Sequence, residues 1–217
     1  MLTTGQIYHV YSRTIAKFEI FHNECDYLRM RRMIGYYRYQ HRAISFSKFN
    51  RAANDTERNK EILDAHKKIV KIIAYCFMPT HIHLILKQVA DNGISNFMNN
   101  ILNSYTRYFN TKHNRKGPLW ESRFKKVLVE NDEQLLHLTR YIHLNPTTAC
   151  LVENLCEWEP SSYREYIAFD KDTEKICEYS DLFQMCPKIY RDFVADRISY
   201  QRELAKIKSL IFDVDDE

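Results

Sequence analysis

Ile69-Val70-Lys71-Ile72-Ile73-Ala74-Tyr75-Cys76-Phe77-Met78-Pro79-Thr80-His81-Ile82-His83-Leu84-Ile85-Leu86-Lys87-Gln88-Val89 is the stretch that decides the fold. Residues 69–78 are a strongly apolar, β-branched run, Pro79-Thr80 interrupts it, and a second apolar run follows over 81–89. This pattern predicts two strands joined by a tight turn. Side chains alternate across a strand, which sends His81 and His83 to one face and Ile82 and Leu84 to the other. Two imidazoles on one face can share a metal ion; they can equally be two partly exposed polar residues of a strand.

Upstream, residues 6–15 are β-branched and aromatic with near alternation, a first strand. A helix follows from the capping residue Asn23 to about Gln40, with Tyr27, Met30, Ile34 and Tyr37 at spacings of three and four. Residues 46–66 are polar and read as a helical insertion, whose helix from Asp55 on lies outside the core. Downstream, a long helix over 94–113 carries Phe97, Ile101, Tyr105 and Phe109 at every fourth position, and a basic loop with the turn signal Gly117-Pro118 leads to a short strand over 124–130. Asn131 or Asp132 then caps a helix that should end at Asn145, because proline at 146 disfavours helical geometry in the residue before it. A helical pattern over 187–212 completes the chain. The order β-α-β-β-α-β-α argues for an α+β domain over 1–166, an antiparallel sheet carrying helices, with a helical extension over 167–217.

Composition narrows the function. With 45% hydrophobic and 28% charged residues, the 217-residue chain is expected to fold around a real core. Its four glycines are too scattered to build a Gly-rich phosphate cradle, so no nucleotide cofactor is expected. No 18-residue apolar window and no basic-then-apolar N-terminus occur, so neither a membrane span nor a signal peptide is expected, and the cytoplasm is the expected location. The six cysteines form no C-x-x-C pair and read as reduced, mostly packed thiols.

The net charge of +4 conceals a polarised chain. Five arginines and no acid lie between Arg29 and Arg42, interleaved with Tyr36, Tyr37 and Tyr39; seven Lys/Arg face two Glu between Ile101 and Glu130; nine acids face three bases from Glu153 to Cys186. The first two blocks would attract a polyanion such as nucleic acid, unless they are simply solvated helix faces.

Tyr141 and Asn145 stand four apart, and therefore on one helix face, with His137 one turn earlier. Taken singly, Tyr141 could be a core aromatic beside Leu138, Ile142 and Leu144, and Asn145 a helix C-terminal residue.

Taken together, the segments 74–86, Leu119-Trp120-Glu121-Ser122-Arg123-Phe124-Lys125 and Tyr141-Ile142-His143-Leu144-Asn145-Pro146 resemble, in order and spacing, the single-tyrosine HUH transposases, and among them the REP-associated tyrosine transposases and their insertion-sequence relatives. Tyr8-His9-Val10 and Ser12-Arg13 fit that family's opening strand, and the resemblance spans about residues 6–166. One departure is Thr80, where the family more often has Asn.

The resemblance implies a ferredoxin-like or RRM-like HUH endonuclease core and a metal-dependent single-stranded DNA endonuclease and strand transferase. Tyr141 matches the nucleophile that leaves a 5′-phosphotyrosyl enzyme and a free 3′-hydroxyl. His81 and His83 match two metal ligands, and Asn145 matches the position that supplies a third. A phenol, with a pKa near about 10, is a weak nucleophile at neutral pH, so a divalent ion, magnesium or manganese, would assist as Lewis acid and template. The expected partner is single-stranded or hairpin DNA. Arg13, Arg115, Lys116, Arg123, Lys125 and Lys126 are the candidate phosphate contacts, and Trp120 a candidate for stacking on an unpaired base, unless it is a core or lid tryptophan. The alternatives are a DNA-binding module without catalysis, and a metal hydrolase or oxygenase pairing the histidines with a carboxylate, for which the histidine strand offers none. Monomer and homodimer are both compatible with the family.

Overall fold

The computed structural model describes residues 1–40, 44–51, 66–169, 175–182 and 185–198. Its centre is a four-stranded antiparallel sheet of β1 (Ile7–Arg13), β2 (Val70–Met78), β3 (His81–Gln88) and β4 (Lys125–Leu128), in the order β2-β3-β1-β4. Helices α1 (Glu24–Tyr37) and α3 (Gly93–Lys112) follow β1 and β3, with a short α2 (Phe46–Arg51) between β1 and β2. This is the βαββαβ connectivity of a ferredoxin-like α+β fold. Helix α4 (Asp132–Thr148), the single turn α5 (Tyr163–Tyr166) and α6 (Pro187–Ala195) come after the sheet is complete.

The hairpin predicted from residues 69–89 forms with Met78 opposite His81 and Tyr75 opposite Leu84. Neither Pro79 nor Thr80 has a positive φ, so the turn is not the mirror-image type that two-residue hairpins favour. It is held from outside instead: Thr14 N–H donates to Thr80 O and Ile20 N–H to Pro79 O.

Each face of the sheet has its own core. Val10, Tyr75, Phe77, Ile82, Leu84 and Leu86 pack against α1 and α3, where Phe97, Ile101, Tyr105 and Phe109 are all buried as their spacing predicts. The helix can approach this closely because residue 93 is glycine: a Cβ there would lie 2.2 Å from Ile69 O. On the other face Ile73, Cys76, Met78 and Ile85 pack against Leu135, Ile142 and Leu144 of α4, with Tyr163, Tyr166, Tyr190 and Val194. Beyond residue 166, therefore, α6 buries Tyr190 and Val194 in the core beneath α4, and Glu178 N–H donates to Ile72 O.

Several local expectations are corrected. Asn23 and Asn131 cap their helices as read, each accepting from a backbone N–H three residues on. Helix α4, however, does not end at Asn145; it runs through Pro146 to Thr148. Proline lacks the N–H that Ile142 O would receive, and the Asn145 side chain fills the gap, Nδ2 donating to Ile142 O at 3.3 Å and Tyr141 O at 3.1 Å. None of the cysteines forms a disulfide, but only Cys76 is buried, while Cys25, Cys150 and Cys186 are exposed. The helix expected from Asp55 and the part of the C-terminal helix beyond 198 lie outside the described residues. No helix among the described residues is long and apolar enough to cross a membrane.

Candidate active site

Residues paired across an antiparallel ladder point to the same face. The register sets Lys125 beside Tyr11, Tyr11 beside His83 and His83 beside Cys76, with Arg13 beside His81 and His81 beside Met78 in the next row. Cys76 and Met78 are covered by α4, so the two histidines stand at the margin of that cover, and Tyr11, Arg13 and Lys125 line its open side. From α4, Tyr141 projects to this margin, 46% exposed, its ring 6.2 Å from that of His83 and edge-on to it. The four residues singled out by sequence, His81, His83, Tyr141 and Asn145, thus come from the two elements expected, and the His83–Tyr141 contact joins them.

Three side chains at this site are tied by one group and open at another. His83 Nδ1 lies 3.0 Å from His9 Nε2, His81 Nδ1 lies 3.0 Å from Thr80 Oγ1, and the Asn145 amide nitrogen is taken by the two helix carbonyls. This leaves both Nε2 atoms and Asn145 Oδ1 without hydrogen bonds among the described residues. Burial holds the His9 ring at a pKa of about 4; burial and then Arg13 bring His81 to about 4; burial, His81, His9 and Arg13 push His83 well down. All three rings are therefore neutral at neutral pH, the state in which an imidazole can ligate a metal. The donor set fits a divalent cation in the way metal-bound histidines usually do, with the second ring nitrogen engaged. No cluster of three or more His, Cys, Asp or Glu able to hold a metal occurs among the described residues, so any such site rests on two imidazoles and an amide.

Sequence reasoning did not assign His9 a role. It is 9% exposed and stacks with Tyr11 and His83 at centroid distances of 5.3 and 5.2 Å. Its signal was available: His9 and Tyr11 alternate on the strand that pairs with the H-x-H strand. His143, two residues after Tyr141, faces away into the core, bonded to Tyr190 Oη at 2.7 Å and Ser162 Oγ at 2.8 Å, and burial drives its pKa down to about 3.

The candidate DNA contacts divide. Arg13 and Lys125 lie on the histidine face and are exposed; Lys126, opposite Val10, is exposed on the other face; Lys116 and Arg123 are exposed in the loop. Arg115 is half-buried and pinned to Asn110 Oδ1 at 2.9 Å and Pro118 O at 2.7 Å. Trp120 is only 8% exposed, donates Nε1–H to Leu102 O and packs against Tyr105, so it is a core residue and offers no stacking face. The arginine block of α1 is also largely engaged within the fold: Arg29 lies 4.1 Å over the Tyr108 ring, Arg31 bonds Tyr75 Oη, Arg32 bonds Asn50, and Arg38 bonds Ile176 O. Arg42 is outside the described residues.

Residues 49–145, just under half of the chain, match the family model described as transposase, IS200 like. The resemblance is to IS200-like transposases. The matched span contains all four of His81, His83, Tyr141 and Asn145 and excludes β1 with His9 and Arg13. A provisionally named REP-associated tyrosine transposase of Haemophilus influenzae is 30% identical over 103 residues, covering 42% of this chain and 57% of that transposase, so the likeness spans little more than half of the relative. A solved REP-associated tyrosine transposase, bound to a REP hairpin, superposes with a TM-score of 0.53 over 85% of this chain and 95% of its own, at 17% identity. At that identity the second likeness shows the shared fold.

Proposed function

We propose that this chain is a transposase-type enzyme that cleaves and rejoins single-stranded DNA, at hairpins or repeat ends, through a covalent bond between Tyr141 and a 5′-phosphate. The observation that carries the reading is the placement of an exposed tyrosine on α4 against His83, with His81 beside His83 and with Asn145 one helical turn from Tyr141, its amide nitrogen tied to the helix carbonyls. Tyr141 Oη attacks phosphorus, the bond from phosphorus to the 3′ oxygen breaks, and the departing 3′ oxygen takes up a proton while the phenolic proton leaves to solvent. Attack by the released 3′-hydroxyl, or by that of another strand, reverses the step, so the phosphodiester bond energy is largely retained and no nucleotide cofactor is required.

His81, His83 and Asn145 would hold a divalent cation, magnesium or manganese, which would supply Lewis-acid stabilisation of the phosphate. His9 and Thr80 fix the orientation of the two rings. Asn145, anchored to the carbonyl freed by Pro146, holds its amide at a constant position one turn beyond Tyr141. Arg13 and Lys125, on the open side of the histidines, would receive phosphates neighbouring the scissile one.

The test is a denaturing gel after incubation with labelled single-stranded hairpin oligonucleotides and manganese. A covalent protein–DNA band is expected that disappears on chelation and in Tyr141→Phe, while Tyr141→Phe still binds DNA. A Tyr141→Phe protein that forms the adduct would overturn the assignment of the nucleophile.

A further inference from the structure

Between β1 and α1 the chain makes an unusual excursion. Ala16 and Lys17 both sit at positive φ, 50° and 54°, a region that residues with a Cβ seldom occupy. The next residue is Phe18, 47% exposed, its ring perpendicular to that of Phe109 at a centroid distance of 5.8 Å. A strained backbone that displays a large aromatic to solvent is costly for folding and is expected where a site requires it.

We infer that Phe18, backed by Arg115, is a stacking subsite for an unpaired base of the DNA strand that enters the Tyr141 site; the inference rests on the function proposed above. The excursion is built into the candidate site. Thr14 Oγ1 lies 2.6 Å from Phe18 O and 2.9 Å from Thr80 O, its hydrogen shared between them, and Thr80 Oγ1 touches His81 Nδ1 at 3.0 Å. Ile15 N–H donates to Leu119 O, so the far side of the turn is tied as well. Phe18 is thus held in fixed relation to His81 through three consecutive contacts.

The electrostatic setting fits one occupant. The Arg115 guanidinium lies 5.8 Å from the centre of the Phe18 ring, and Lys17, Arg13 and Lys116 are exposed nearby in sequence or register, against the acids Glu19 and Glu121. An aromatic face with cations beside it suits a base and its phosphate on an unpaired strand, since every base has a π face and the phosphate follows one linkage away. A duplex, whose bases are already stacked, has no use for such a face. With Trp120 buried, Phe18 takes over the stacking role that the sequence suggested for the tryptophan.

The experiment uses full-length protein carrying Tyr141→Phe, to prevent strand breakage, and single-stranded oligonucleotides with 2-aminopurine placed at successive positions. Binding is expected to quench the fluorescence strongly at one position. Adding Phe18→Ala should remove that quenching and weaken single-strand binding by about 5- to 100-fold. Phe18→Trp should retain both, and circular dichroism melts should show that both variants fold. Unchanged affinity and quenching in Phe18→Ala would overturn the subsite and leave the proposed function standing. Failure of the parent protein to bind any single strand would overturn both.

Discussion

Removing the carboxylate of Asp26 should destabilise the fold by about 1.5–3 kcal/mol, the range for losing hydrogen bonds to a charged group. Its side chain is fully buried, and three groups converge on it: Tyr108 Oη at 2.6 Å and Lys112 Nζ at 2.7 Å on Oδ1, and the His22 backbone N–H at 3.1 Å on Oδ2. Asp26→Ala leaves that N–H and the hydroxyl without their acceptor, while the exposed Lys112 ammonium returns to water. A chain of this length loses about 2–4 °C of Tm per kcal/mol, so a fall of roughly 3–12 °C is expected. Burial pushes the Asp26 carboxyl up, but Lys112, Tyr108 and the His22 N–H outweigh it, and the net pKa lies below the ordinary aspartate value. For a carboxyl lowered in the folded state, the stabilisation is complete above the unfolded value and is lost as pH falls through the folded one. The excess stability of the unaltered protein over Asp26→Asn should therefore be constant near neutrality and shrink in acid. Urea melts across this range, with Lys112→Met in a double-mutant cycle, measure both effects. A cost below about 1 kcal/mol at neutral pH, or an excess that grows on acidification, would refute the reasoning.

His9→Phe should weaken manganese binding by about 10- to 100-fold by freeing His83 to rotate, as calorimetric titration would show; unchanged affinity would mean that His9 does not orient the ligand. Gly93→Ala must move the start of α3 away from Ile69 O and should cost about 1–3 kcal/mol, read as a lower Tm, and an unchanged Tm would show that the helix shifts freely.

How much of this was legible in the sequence depended on how local the determinant was. The hairpin, the face shared by His81 and His83, and the one-turn relation of Tyr141 to Asn145 follow from periodicities of two and about four residues, which strands and helices obey wherever they are placed. Helix α4 outran its expected end because the proline rule concerns the backbone, whereas the repair is made by the neighbouring asparagine side chain. Trp120 and the arginines of α1 resist such reading because a basic or aromatic run looks the same whether its partners are water and DNA or a carbonyl, a carboxylate and a tyrosine ring of the same chain. The alternation of His9 and Tyr11 marks a face of β1, but what that face meets, His83, lies 74 residues on, and the turn that displays Phe18 is tied through Thr14 to the comparably distant Thr80, which no local pattern encodes.

Among the described residues, strand β4 pairs with β1 alone, and all four of its residues are exposed. Its outer edge presents unpaired backbone donors and acceptors, and Val127 and Leu128 add apolar surface, the combination on which a second strand can grow. Adjacent lysines at 125 and 126 project charge from both faces of that edge, so an identical strand laid along it would bring like charges together. Phosphates gathered by these lysines would cancel the repulsion, so the two residues proposed to meet DNA would also, when free, disfavour the pairing of this edge with another copy.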